Sequence, residues 1–178
     1  AEAVEAAMKL AKRVTNRTGI IAFKNSYHGS TQGALSIIGD EYWRNAYRPL
    51  LPDILHLDYN SFASLDFITT HTACVIAETV QAEAGIKPPS PEWIKALREK
   101  CSSTGTLLVL DEIQAGFGRT GKLWGFEHFD IVPDMVLLGK ALGGGMPLGA
   151  LVADKQLMDA FTDKPVLGHI TTFGGHPV

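Results

Sequence analysis

Long apolar runs are missing from this sequence. No stretch approaches the roughly 20 apolar residues that a membrane-spanning helix needs, and nothing has the basic-then-apolar layout of a secretory leader. The chain is therefore expected to be cytoplasmic, with no membrane partner. Cysteine is almost absent: Cys74 and Cys101 are the only two among 178 residues. Two thiols without metal-type spacing exclude a zinc motif and a disulfide framework, so reduced thiols and no metal are expected. A basic field is lacking too. Lys and Arg total 16 against 19 acids, a net charge of −3 with no clustered stripe, which gives nucleic acid nothing to bind. Internal repeats and low-complexity linkers are also missing. One domain is the default reading at this length.

What is present is a series of short apolar segments ending abruptly in polar chemistry. Thr106-Leu107-Leu108-Val109-Leu110 runs straight into Asp111-Glu112, and Leu137-Leu138 ends at Gly139-Lys140 before Gly143-Gly144-Gly145. Ala73-Cys74-Val75-Ile76-Ala77 ends the same way, at Glu78. Runs of this length and composition predict strands buried on both faces. Further strands are expected at Ile20 to Phe23, Ile54 to Leu57 and Leu148 to Ala153. Helices are expected from Ala1 to Val14, over a short stretch after Thr31, from Phe62 to Thr69, from Glu92 to Lys100 behind the Pro88-Pro89-Ser90-Pro91 cap, and after Asp154 to about Phe161. Strands alternating with helices predict an α/β fold, a mostly parallel sheet with helices on both faces.

Two nucleotide-binding patterns fail on inspection. Gly116-Phe117-Gly118-Arg119-Thr120-Gly121-Lys122 fits most of a phosphate loop, but Leu123 stands where Ser or Thr would hold magnesium, and no apolar strand feeds the loop. Gly143-Gly144-Gly145 lacks the dinucleotide spacing. A carboxylate at 111 and an amine at 140, both delivered to the carboxyl ends of strands, point instead to a crevice ligand. A bare buried ion pair is the plain alternative, because an unpaired buried charge is too costly to keep. A strand-end lysine can serve as a nucleophilic amine, and glycines beside it let a flat ligand approach the backbone. An aspartate facing the same crevice suits a protonated ring nitrogen, the partner expected for pyridoxal phosphate. Gln114 could reach a ring oxygen, and Tyr27 and His28 could stack on the ring.

With those residues in view, the chain resembles the class III, fold-type I pyridoxal-phosphate aminotransferases, similar to ornithine, acetylornithine and 4-aminobutyrate aminotransferases. The resemblance rests on ordered motifs across the whole chain. They are Ala1-Glu2-Ala3, Tyr27-His28-Gly29, Glu78-Thr79-Val80-Gln81-Ala82-Glu83-Ala84-Gly85, Asp111-Glu112-Ile113-Gln114 with Gly116-Phe117-Gly118-Arg119-Thr120-Gly121, Lys140-Ala141-Leu142-Gly143-Gly144-Gly145 with Pro147 and Gly149, and Thr171-Thr172-Phe173-Gly174-Gly175-His176-Pro177.

The resemblance implies roles. Lys140 would form the Schiff base with pyridoxal 5'-phosphate and shuttle the substrate's α-proton, while Asp111 pairs with the ring nitrogen. Gln114 would bond the ring hydroxyl side and Tyr27 would stack on the ring. His28 and Glu78 would support the site, and Glu112 would be structural. Ala1 would supply part of the phosphate cup at the start of the first helix. Glu83 would be the gating glutamate on the substrate side. Thr172 would reach the cofactor of a neighbouring subunit, implying a homodimer. An amino acid donor and a 2-oxo acid acceptor are the implied partners. A racemase or aminomutase of the same fold, or a non-catalytic fragment, is the alternative. Ser30 departs from the pattern, standing where those three enzymes carry a carboxylate-binding arginine. The uncapped start and the Gly-Gly-His-Pro end read as cuts, so residues 1–178 are expected to be part of a large cofactor-binding domain.

Overall fold

The computed structural model of the chain describes residues 1–175, so His176 and Pro177 of the last motif lie outside the described residues. Element α1 spans Glu2–Thr15, with Glu2 and Glu5 in its first turn and Lys12 and Arg13 in its last, each sign favourable to the helix dipole. No side chain caps its start at Ala1, whereas Asn16 closes its end in the left-handed conformation. Strand β1 (Gly19–Phe23) follows, then the short helices α2 (Gln32–Ser36) and α3 (Glu41–Arg44). Strands β2 (Ile54–Leu57) and β3 (Thr72–Glu78) come next, and then α4 (Pro91–Thr104). The chain continues through β4 (Leu107–Asp111), β5 (Met135–Leu138), β6 (Ala150–Ala153) and α5 (Lys155–Met158).

Helix α4 has a full set of boundary signals. Ser90 accepts a hydrogen bond from the Trp93 N–H, Pro91 occupies the first turn, and Gly105 ends the helix at a φ of 66° that a Cβ would resist. The six strands lie in the order β2-β1-β3-β4-β5-β6, all parallel except β6, which runs antiparallel to β5.

Strand periodicity divides the core in two. Ile20, Ala22, Cys74, Ile76, Val109, Met135 and Leu137 face α1, while Ile21, Phe23, Val75, Ala77, Leu108 and Leu110 face Trp93, Ile94 and Leu97 of α4. Every residue of β3 is buried, which is why the sequence shows an unbroken apolar run and no alternation. Both cysteines are free and buried, and burial pushes each thiol up to about 12. Among the described residues no helix is long and apolar enough to cross a membrane.

Residues 62–69 depart from expectation. They form a tight 3-10 turn over Ala63–Phe67 instead of an α-helix, too short and too exposed at Phe62 and Phe67 to bury an amphipathic face. The helix after Asp154 is likewise brief, giving way to a 3-10 turn at Asp159–Phe161.

Candidate active site

The parallel arrangement sends β1, β3, β4 and β5 to end on one side of the sheet, and their carboxyl ends open into a crevice of about 540 Å³. That is the ligand-binding end of such a sheet and an ordinary volume for a small-molecule site. Asp111 and Lys140 both line it. They are not paired with one another. Asp111 is buried at the end of β4, its Oδ2 2.8 Å from His28 Nδ1 and its Oδ1 accepting the Ile113 N–H at 3.0 Å. Lys140 follows β5, is exposed to the crevice, and donates to Gln114 Oε1. The plain ion-pair alternative is therefore not the arrangement found. Lys140 also sits at a φ of 45°, a left-handed backbone that costs a lysine about 1–2 kcal/mol.

The remaining walls come from loops. Tyr27 is 42% exposed and lines the crevice, with its N–H donating to Glu78 Oε1 at 2.9 Å. His28 lines the crevice beside Tyr27, with its ring buried and its Nδ1 2.8 Å from Asp111 Oδ2. Glu78, at the end of β3, also accepts the Ala82 N–H at 3.1 Å, so one carboxylate joins the Tyr27 loop to the loop that carries Glu83. Burial pushes that carboxyl above the usual range, against the pull of His28 and the two N–H donors. Ala1 brings the first turn of α1 to the crevice, where free N–H groups favour an anion. At Gly29 a Cβ would sit 3.0 Å from Ala1, so only glycine lets the loop pass this close to the helix start. Thr172 is exposed and does not line the crevice.

A second hollow of about 1060 Å³ adjoins the first through Tyr27, Ser30, Glu83 and Lys140, with Trp43 and Tyr47 on its wall. Sequence reasoning missed three contributors. Glu5 of α1 accepts from Thr31 Oγ1 at 2.5 Å and from the Ala34 N–H at 3.0 Å, anchoring the Tyr27 loop to the helix. Met146 and Leu148 close the crevice beyond the glycine patch. Glu5 carries no local pattern because its partners lie 26 and 29 positions away. Glu112, next to Asp111, points elsewhere: it takes donors from Thr79, Gly125 and Phe126 and fastens the following loop. The phosphate-loop look-alike turns on itself, with the Gly121 N–H donating to Gly118 and Lys122 donating to the Glu127 carbonyl.

The crevice thus presents an amine, Lys140, and a carboxylate, Asp111, to one small-molecule-sized space. The aminotransferase class-III family model matches residues 1–178. The chain belongs to that family. Among class-III relatives, the LysW-aminoadipate semialdehyde/glutamate semialdehyde transaminase of Sulfurisphaera tokodaii is 46% identical, over 99% of this chain and 45% of its own length. The acetylornithine aminotransferase of Methanopyrus kandleri is 43% identical over the same shares, 99% and 45%. An ornithine aminotransferase structure from Toxoplasma gondii, described as having partial PLP occupancy, superposes with a TM-score of 0.89 at 32% identity, covering 97% of this chain and 43% of that one. The chain thus spans a little under half the length of these class-III proteins.

Proposed function

We propose that this chain carries the cofactor-binding core of a pyridoxal-phosphate-dependent aminotransferase that moves an amino group from an amino acid or ω-amino donor to a 2-oxo acid. The observation that carries the reading is the placement of Asp111 and Lys140 on one crevice with neither neutralised by the other. The donor set fits the cofactor: an amine for its carbonyl, a carboxylate for its ring N–H, and a helix N-terminus for its phosphate. Pyridoxal phosphate, when bound, supplies a carbonyl that accepts the amino group and a ring that takes up an electron pair.

Each residue then has a task. Lys140 would hold the cofactor through its amine and, when free, would carry the proton at the substrate's α-carbon. Gln114, which accepts from that amine, would orient it and serve the ring hydroxyl side. Asp111 would hold the ring nitrogen's proton. Tyr27 would pack on the ring, with its loop held by Glu78 and its neighbour His28 held by Asp111. Ala1 would offer an N–H to the phosphate. Glu83 meets the substrate side. Thr172, exposed and away from this chain's own crevice, serves the site of a second subunit in a homodimer. No arginine lines either hollow among the described residues.

The test is reduction with borohydride in the complete protein after incubation with pyridoxal phosphate. A cofactor-mass adduct on Lys140, lost in Lys140→Ala together with the visible absorbance, is the expected result. An adduct elsewhere, or unchanged absorbance in Lys140→Ala, overturns the assignment. Dependence of turnover on an added 2-oxo acid separates transfer from racemisation.

A further inference from the structure

The loop after β1 is gripped at two successive residues by two acids that neighbour one another in the sheet. Glu78 and Asp111 are register partners across β3 and β4; Glu78 takes the Tyr27 N–H and Asp111 takes the His28 ring. The His28 side chain is 0% exposed. Its other nitrogen, Nε2, is buried and meets no hydrogen-bond partner among the described residues.

That orphan atom separates the protonation states of the ring. An imidazolium would leave a charged N–H donor buried and unpaired at Nε2, the costliest outcome. The neutral Nε2–H form would leave the same donor unpaired and set the Nδ1 lone pair against a carboxylate oxygen. Only the neutral Nδ1–H form donates to Asp111 and leaves nothing but a lone pair at the buried, unpartnered Nε2. The charged groups facing the ring are Asp111 and Glu78, and both pull toward the cation. The pull from Glu78 is weakened, since its oxygens already accept two backbone N–H groups and burial raises its carboxyl above the usual range.

We infer that His28 is a positioning residue, held as the neutral Nδ1–H tautomer, which locks Asp111 in place while leaving its negative charge uncompensated toward the crevice. With Oδ2 tied to His28 and Oδ1 to the Ile113 N–H, the carboxylate has no freedom to turn away. Its charge is balanced only when a cationic N–H enters, and a cationic His28 would forfeit that selectivity. The identity of the entering group rests on the aminotransferase reading; the tautomer does not.

Two measurements on the complete protein test this. Histidine 15N NMR without cofactor, assigned by loss of the resonance in His28→Asn, should show one protonated and one bare nitrogen at pH 7, the proton on Nδ1. Two protonated nitrogens, or a proton on Nε2, overturns the inference. In absorbance titration with pyridoxal phosphate, His28→Phe should bind about tenfold more weakly or worse, the scale of a hydrogen bond to a charged group. His28→Asn, whose amide can still donate to Asp111, should recover most of that loss. Equal affinity of His28→Phe and the parent overturns the positioning role. If the parent itself fails to bind pyridoxal phosphate while the NMR result stands, the proposed function falls and the tautomer survives.

Discussion

Asp111 and Glu112 are consecutive acids at the end of one strand, and both are buried. Glu112 faces a closed socket: Thr79 Oγ1 donates to it at 2.5 Å, the Gly125 N–H at 2.8 Å and the Phe126 N–H at 3.1 Å. Asp111 faces the crevice, held on one edge by His28 and Ile113. Strand geometry produces the split, since successive side chains leave on opposite faces. Burial of an acid is therefore not a mark of chemistry. What distinguishes the two is whether the protein itself supplies every partner the carboxylate can use.

Substitutions should separate them sharply. The largest effect is expected at the reactive pair. Lys140→Ala in the complete enzyme should lower turnover by roughly 10²–10⁴ or more, and Asp111→Asn should act in the same direction. Thermal unfolding of Asp111→Asn should shift by no more than about 2–4 °C, the equivalent of about 1 kcal/mol in a domain this size. A collapse of stability in Asp111→Asn would erase the distinction. Glu112→Ala should behave oppositely. It strands two buried donors and a half-buried one and should cost roughly 2–3 kcal/mol, read by denaturant unfolding.

Acidity offers a finer probe. Burial pushes the Glu112 carboxyl above its usual range, with the donors from Thr79, Gly125 and Phe126 opposing. A group raised in the folded state lends stability below its unfolded value and loses it as pH climbs through the folded one, so stability should decline as pH rises past about 4.5. Glu112→Gln should flatten that decline, and an unchanged pH slope would contradict the closed-socket picture. His56 is the mirror case. Burial, then the nearby Arg44, lowers it from 6.5 to about 4, so its contribution is present above 6.5 and lost as pH falls toward 4. His56→Gln should reduce acid sensitivity in that window. The smallest effect belongs to the exposed pair of Lys155 with Asp159, 2.7 Å apart: Asp159→Ala should change stability by no more than about 0.3–0.5 kcal/mol.

The sheet was readable because strands buried on both faces leave unbroken apolar runs, and each run ended within a residue or two of the polar position that stops it. Helix α4 was readable from Ser90 and Pro91 at its start, though it continues to Thr104, past the expected Lys100, because Gly105 and not composition ends it. Residues 62–69 misled, since the chain there carries helical composition without a face to bury. At the site, Asp111 and Lys140 stood out as polar residues terminating apolar strands. The direction of His28 toward Asp111, the double grip of Glu78 and the anchoring by Glu5 were not readable. Those contacts join residues 83, 51 and 26 positions apart, and only the folded loops bring them together.

The left-handed backbone at Lys140 sets two pressures against each other. Glycine would relax that kink and lysine cannot, so a search that rewarded thermal robustness alone would drift toward glycine at this position and discard the amine on the way. Directed-evolution campaigns on such a scaffold would have to score catalysis in every round, because a strained backbone torsion and the reactive nitrogen belong to the same residue.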